Sequence, residues 1–355
     1  MRIVLLGLSI TSSWGNGHAT NYRALVRALS TRGHDVLFLE RDVPWYAAQR
    51  DLPEPPWGTT RLYGSLDELR NEYADAVRDA DVVVVGSYVP DGVGVGEWVI
   101  SIARGLTAFY DIDTPVTLAK LARGDFEYLT PQLVAQYRLY LSFTAGPTLD
   151  RIEQELGSPC ARAFHCLVDP DAYPMIDAER RWDLGDLGTY SDDRQPALER
   201  LLLDPARRDP ALRCVVAGPS YPDDIAWPAN VQRIEHLPPA EHAAFYAAQR
   251  FTVNVTRADM VAAGWSPSVR LFEAAACAVP VISDAWAGLD TFFVPGEEIV
   301  VAQSADDVLR TLSGMSEAVR DAIGRRARER VLAQHSAGRR AAEFEQHASE
   351  AMATA

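Results

Sequence analysis

The chain has 355 residues, 48% of them hydrophobic, which is long for one core and comfortable for two domains of ordinary size. Its formal net charge of −15 repels nucleic acid and anionic lipid, and so excludes a function built on a basic patch. Lys120 is the only lysine, which excludes a lysine Schiff base or a phosphate-loop lysine and leaves any phosphate to arginine or backbone N–H.

No stretch approaches the roughly 18–20 apolar residues of a membrane span. Met1–Gly7 is apolar but soon turns into Ser12-Ser13-Trp14-Gly15-Asn16-Gly17-His18, without a small-residue cleavage pattern. It reads as a buried first strand, and the protein is expected to be cytoplasmic. Cys160, Cys166, Cys214 and Cys277 have no C-x-x-C spacing and read as small buried hydrophobes.

Ile3–Leu8 is a continuous apolar run suited to a strand buried on both faces. After the glycine-rich loop, Tyr22, Leu25, Val26 and Leu29 recur at helical spacing, with Gly33 beyond the helix end. Asp35–Glu40 is the next strand, completing a βαβ unit. Asp81–Gly86, Thr107–Ile112, Tyr137–Phe143 and Ala161–Val168 read as further strands, the last two separated by a helix around Thr148–Leu156. The turn-rich stretch 168–174 suits a linker.

A second series follows. Strands are expected near Trp182–Gly185, Arg213–Ala217, Phe251–Val255 and Pro280–Ser283, with helices around Gln195–Leu203, Pro239–Ala248 and from Ser268. From Ala305 onward the chain is helical and charged. Alternating strands and helices predict parallel α/β sheets with right-handed crossovers. The organisation read from this is an N-terminal Rossmann-like domain at 1–174, a C-terminal one at 175–335, and a last helix at 336–355 packing back on the first.

The segment Gly264–Asp284 carries the chemistry. Ser266 is read as the helix cap, with Pro267 in the first turn where its missing N–H does no harm. The helix N-terminus and Arg270 then face an anion, with Ser268 beside them. Glu273, on the same face, can accept two hydrogen bonds from vicinal hydroxyls. The alternative is a plain cap and a surface Arg–Glu pair. Placement just before the buried run Val279–Ser283 favours the ligand reading, because open α/β sheets bind ligands at such points.

Ser266–Asp284, with Trp286-Ala287-Gly288-Leu289 and Phe292–Glu298, resembles the donor-site region of GT-B glycosyltransferases. The branch it is most similar to includes the spore-maturation CgeB-like proteins and the group 1 retaining families. The resemblance implies two Rossmann-like domains whose parallel sheets face a cleft, with an acceptor bound by the first and a nucleoside diphosphate sugar by the second. It assigns Glu273 to the donor ribose and Arg270 with Arg257 to the diphosphate. Two positions depart from the pattern. Trp265 stands where many retaining enzymes carry a second glutamate, and no lysine is present to complete an Arg–Lys pair.

The loop of Trp14, Gly15, Asn16 and Gly17 lets backbone approach an acceptor, but its spacing is not the dinucleotide fingerprint. His18 is a candidate general base; the alternative is a helix-start histidine bonded to backbone, and in a retaining mechanism, where no such base is expected, His18 would only position substrate. Asp111-Ile112-Asp113 looks like a metal-binding D-x-D motif, yet Arg270 and the helix dipole already offer neutralisation. No metal or cofactor is expected, and Asp111 is read as a cleft residue touching the acceptor. Tyr190, in the loop Gly188–Tyr190, is placed to stack on a base.

The function expected is sugar transfer to a small-molecule acceptor, in a setting such as secondary metabolism. A UDP-sugar 2-epimerase and a non-catalytic sugar-binding or surface-layer scaffold of the same fold stay open beside it. A nicotinamide dehydrogenase does not, because neither half carries the glycine fingerprint.

Overall fold

The computed structural model describes residues 1–354, in two compact units. The first comprises residues 1–167 together with 337–354, and the second Val168–Ser336. The boundary falls at 167/168 and not at 174/175. Val168 forms a β-bridge to Ser336, and Tyr173 belongs to the core of the second unit.

The first unit holds strands β1 (Arg2–Gly7), β2 (Asp35–Arg41), β3 (Thr59–Tyr63), β4 (Val82–Gly86), β5 (Leu106–Asp111), β6 (Leu139–Ser142) and β7 (Ala161–Ala163). They pair in the order β3-β2-β1-β4-β5-β6-β7, all parallel. Helices cover both faces, so central strands are apolar along their whole length; every residue of β4 is buried. The helix Ala337–Ala353 lies against the helix His18–Thr31. It is tied there by Glu345, which accepts from Arg32 and pairs with His34 Nε2 at 2.7 Å.

The second unit repeats the plan with β8 (Trp182–Leu187), β9 (Cys214–Ala217), β10 (Val231–Ile234), β11 (Gln249–Asn254), β12 (Val281–Ser283) and β13 (Val300–Val301). Their order is β10-β9-β8-β11-β12-β13, again parallel throughout. In each sheet the strand order reverses once, between β1 and β4 and between β8 and β11. Ligands of open α/β sheets bind at the carboxyl ends of the strands at such points.

Two expectations about strands change. The ladder at Ala161–Val168 stops at Ala163, and Phe164 and Leu167 are buried beyond the strand. The edge strands β3 and β10 went unpredicted because Thr59–Tyr63 and Val231–Ile234 bury only part of their length, leaving no continuous apolar run.

Candidate functional site

In the second unit, residues from the carboxyl ends of β8, β11 and β12 meet the start of the helix Val269–Ala276. Ser268 is still extended, at φ −67° and ψ 149°, so the helix begins later than the sequence suggested. Ser268, not Ser266, occupies the cap position. Ser266 is buried and its hydroxyl donates to the Gly264 carbonyl at 2.8 Å, which corrects its reading as the cap. Ser268 Oγ donates to Asn254 Oδ1 at 2.6 Å, away from its own helix. Asn254 continues to Ser283 and Thr256, and Thr256 to Asp284, so one buried network ties the ends of β11 and β12 to the helix start.

Arg270 crosses the point where the sheet order reverses. Its Nε donates to the Leu187 carbonyl at the end of β8, and Nη1 reaches the Val255 carbonyl after β11 at 3.5 Å. Asp186 lies 3.9 Å from Nε, an ion-pair distance too long for a hydrogen bond. Gly188 makes the crossing possible: a Cβ there would stand 2.1 Å from Arg270 Nη2.

Beside it stands Arg194, a residue the sequence reading missed. Its Nη1 donates to the Thr189 carbonyl at 3.1 Å, while its buried Nε has no hydrogen-bond partner. Burial, with the charges of Arg270 and Arg257, pushes the Arg194 guanidinium down to about 10. Burial raises the Asp186 carboxyl although Arg270, Arg194 and Arg233 oppose it. Arg257, half-buried, bonds Asp193 Oδ2 through Nε at 3.1 Å. Three arginines therefore converge on the Gly188–Ser191 loop against Asp186 and Asp193. The only sequence signal for Arg194 was its place a few residues after Gly188-Thr189-Tyr190.

Tyr190 sits at the rim, its hydroxyl donating to Asp192 at 2.6 Å and its ring edge-on to Tyr221 at 5.4 Å. The Arg233 guanidinium packs against both Tyr221 and Trp227, 4.1 and 4.6 Å from the two ring centres. Glu273 is buried, and each carboxylate oxygen accepts from a tyrosine: Oε1 from Tyr173 at 2.7 Å and Oε2 from Tyr246 at 3.3 Å. A carboxylate has about four acceptor positions, so both oxygens retain capacity. Arg270 and Glu273 turn to separate partners, not to one another as a surface pair. A concavity of about 900 Å³ opens at the other ends of β8 to β10, beside Trp182, Cys214 and Val231, away from this cluster.

In the first unit the loop after β1 is held by Glu40, which is fully buried and accepts from Ile10 N, Thr11 N, Ser9 Oγ and Thr11 Oγ1 at 2.6–3.2 Å. Asn16 Oδ1 accepts from Ala19 N–H at the start of the next helix, Gly15 has φ +65°, and Trp14 is exposed. Gly17 immediately precedes His18, whose Nε2 meets Asp113 Oδ2 at 3.0 Å. The reading of His18 as bonded to backbone is replaced by this pairing.

Asp111 is corrected outright. It is fully buried, with Oδ2 accepting from Tyr140 and Oδ1 from Thr117 and Asp113 N–H, so it lines no surface. Burial raises its carboxyl to about 6, against the opposing hydrogen bonds from Tyr140 and Thr117. Its neighbour Asp113 is the carboxylate that faces a functional group. Among the described residues, no group of three or more His, Cys, Asp or Glu gathers in a metal-holding arrangement.

Solved structures share this architecture end to end. Sucrose-phosphate synthase from Thermosynechococcus elongatus aligns over 100% of both chains with a TM-score of 0.74 at 15% identity. Anabaena HepE in complex with UDP and glucose aligns over 98% of this chain and 99% of its own, at 0.73 and 12%. The chain has the GT-B glycosyltransferase fold. AviGT4, a glycosyltransferase involved in avilamycin A biosynthesis, covers 100% of this GT-B chain and 99% of its own, with a TM-score of 0.63 and 16% identity. Residues 194–346 match the family model described as glycosyl transferase-like, a span that includes Arg194, Arg257, Arg270 and Glu273. No curated protein matches the GT-B chain in sequence. No described helix is long and apolar enough to cross a membrane.

Proposed function

We propose that the protein transfers a sugar from a nucleoside diphosphate sugar to a small-molecule acceptor. The observation that carries this reading is the convergence of Arg194, Arg257 and Arg270 at the carboxyl ends of β8 and β11, where burial and the repulsion of Arg270 and Arg257 disfavour the charge of Arg194 in the free protein. A diphosphate relieves that repulsion, and it is also the leaving group whose developing charge must be stabilised. Arginine supplies this neutralisation, so the reading assigns no metal or cofactor. Glu273 accepts from the ribose hydroxyls with its remaining lone pairs, and Tyr190 lies at the base end.

The HepE structures hold UDP or UDP-glucose, which makes UDP the first nucleotide to try. A 2-epimerase needs a carboxylate–histidine array around the sugar, and the arginine-centred cluster offers none. The test is a thermal-shift screen of UDP-, TDP- and GDP-sugars, followed by transfer assays of Arg270→Ala. A ligand bound only by the folded state raises the midpoint. Arg270→Ala is expected to abolish that shift and the transfer while the unliganded protein still unfolds cooperatively. Undiminished transfer in this variant sinks the proposal.

A further inference from the structure

We infer that His242 is a positioning residue for the ribose-binding carboxylate: it takes up a proton when the nucleotide binds, and in that form it commits the hydroxyl proton of Tyr173 to Glu273. The inference rests on the nucleoside diphosphate sugar reading above and adds to it a coupling between donor binding and pH.

Three contacts stand in a row. His242, half-buried on the helix Pro239–Ala247, places Nε2 3.2 Å from the Leu237 carbonyl oxygen and Nδ1 3.2 Å from the Tyr173 hydroxyl. That hydroxyl lies 2.7 Å from Glu273 Oε1. A carbonyl oxygen and a carboxylate oxygen only accept, so the outer contacts need a hydrogen on Nε2 and the Tyr173 proton turned to Glu273. The middle contact then needs a hydrogen on Nδ1 as well. Three hydrogen bonds require three protons, whereas a neutral imidazole, a phenol and an ionised carboxylate bring two. One more proton closes the row, and an imidazolium has it.

The groups around the row hold their own protons. Tyr173 is buried, and burial with Glu273 beside it raises its hydroxyl well above the ordinary range, so it keeps its single hydrogen. Burial also pushes the Cys277 thiol up to about 12 and the Tyr246 hydroxyl well above its usual value, so both stay neutral near Tyr173. Arg328, from the helix Glu317–Gln334, donates to the Ala276 carbonyl and reaches that of Tyr173 at 3.5 Å. Glu241, beside His242 on its helix, and Glu235 and His236 in the loop before it are exposed. Glu273 is the carboxylate to which the row leads.

Without the added proton, the Tyr173 hydrogen is contested between Glu273 Oε1 and the Nδ1 lone pair, and the carboxylate is held less firmly. Ribose resolves the contest. Its hydroxyls donate to the remaining lone pairs of Glu273, which favours the ionised carboxylate and so places the added proton on His242. A ligand that favours the protonated form binds with proton uptake, and its affinity falls as pH rises through the titration of that form. A histidine placed only for packing would leave nucleotide binding independent of its protonation.

The experiment is calorimetry on the full chain with UDP-glucose, whose two phosphates do not titrate between about pH 5 and 8, the range in which histidine changes charge. Titrations in buffers of different ionisation enthalpy should show proton uptake on binding. The affinity should fall about three- to tenfold from about pH 6 to about pH 8, the worth of one hydrogen bond. His242→Gln and Tyr173→Phe should each lose both the uptake and the pH dependence, with circular dichroism showing that they are folded. Pyrophosphate, which has no ribose, should bind the unaltered chain and His242→Gln alike at every pH. UDP-glucose binding without proton uptake by the unaltered chain, uptake undiminished in both variants, or an equal effect of His242→Gln on pyrophosphate overturns the coupling. Failure of the unaltered chain to bind UDP-, TDP- or GDP-glucose overturns instead the donor reading on which the coupling rests.

Discussion

Tyr173 orients Glu273: its hydroxyl donates to Oε1 at 2.7 Å and also meets His242 Nδ1 at 3.2 Å. With Tyr246 on Oε2, the carboxylate is gripped at both oxygens inside the core of the second unit. Such a grip holds the remaining lone pairs in fixed directions, which is what pairing with two vicinal ribose hydroxyls requires. Removing the hydroxyl alone, in Tyr173→Phe, should therefore loosen a ligand-binding group without opening a cavity. The expected loss in UDP affinity is about 0.5–1.5 kcal/mol, the worth of one hydrogen bond. Pyrophosphate has no ribose, so its binding should be unchanged. Calorimetry with both ligands decides it, and an equal loss for pyrophosphate refutes the ribose assignment.

Gly188 and Arg270 give a sharper test of the diphosphate end. A Cβ at residue 188 stands 2.1 Å from Nη2 of Arg270 and 3.6 Å from Nη1 of Arg194, so Gly188→Ala displaces the first guanidinium directly. Its backbone needs no positive φ, which makes the substitution a probe of space and not of strain. Nucleotide affinity should fall at least tenfold, about 1.4 kcal/mol, while secondary structure by circular dichroism stays unchanged. Binding that matches the unaltered chain places the anion elsewhere.

The repeated parallel sheets were legible because central strands such as Val82–Gly86 and Val281–Ser283 are buried throughout and print unbroken apolar runs. The segment 266–284 was legible as chemistry because arginine and glutamate follow a serine–proline helix start on an otherwise apolar helix just before a buried strand. What was hidden is tertiary. Nothing local distinguishes Arg194 from a surface arginine, since its burial arises only when the Gly188–Ser191 loop folds over it. Asp111 and Asp113 were indistinguishable in a D-x-D string. Strand geometry sends the first into the core toward Tyr140, while the turn after β5 sends the second to His18. Ser266 looked like a cap because serine followed by proline fits a helix start, and nothing local showed that the helix begins only at Val269.

Glu40 is expected to matter for stability out of proportion to its distance from any substrate. It lies next to the end of β2 and accepts four hydrogen bonds from Ser9, Ile10 and Thr11 while fully buried. Glu40→Ala leaves two backbone N–H groups and two hydroxyls without their acceptor, at about 1–3 kcal/mol for each one that finds no other partner. The loss should lower Tm by roughly 2–4 °C per kcal/mol in a unit of this size. It should also release the loop bearing Trp14 and His18, read as faster amide exchange at residues 9–17. A Tm drop without faster exchange in that loop contradicts the anchoring role.

Two carboxylates of the first unit should make the stability of the protein respond to pH with opposite signs. Asp111 has its folded pKa raised by burial from 3.8 to about 6, so the folded state holds more protons than the unfolded one in that interval. Stability therefore falls as pH rises from about 4 to about 6, by up to about 3 kcal/mol for this group. Asp51 is the reverse case. Burial works against its charge, but the bidentate Arg23 and the Ser13 N–H and hydroxyl outweigh it and hold the carboxyl down to about 2. Its contribution is present above the unfolded pKa and is lost as pH falls toward about 2. Urea midpoints measured across the range should thus show Asp111→Asn gaining on the unaltered chain between about pH 4 and 6, because its amide does not ionise. Asp51→Asn should lose its disadvantage only on acidification below about pH 4. An Asp111→Asn difference that stays constant from about pH 4 to 7 means that Asp111 titrates like an ordinary carboxylate, and the buried network with Tyr140 and Thr117 does not hold it apart from solvent.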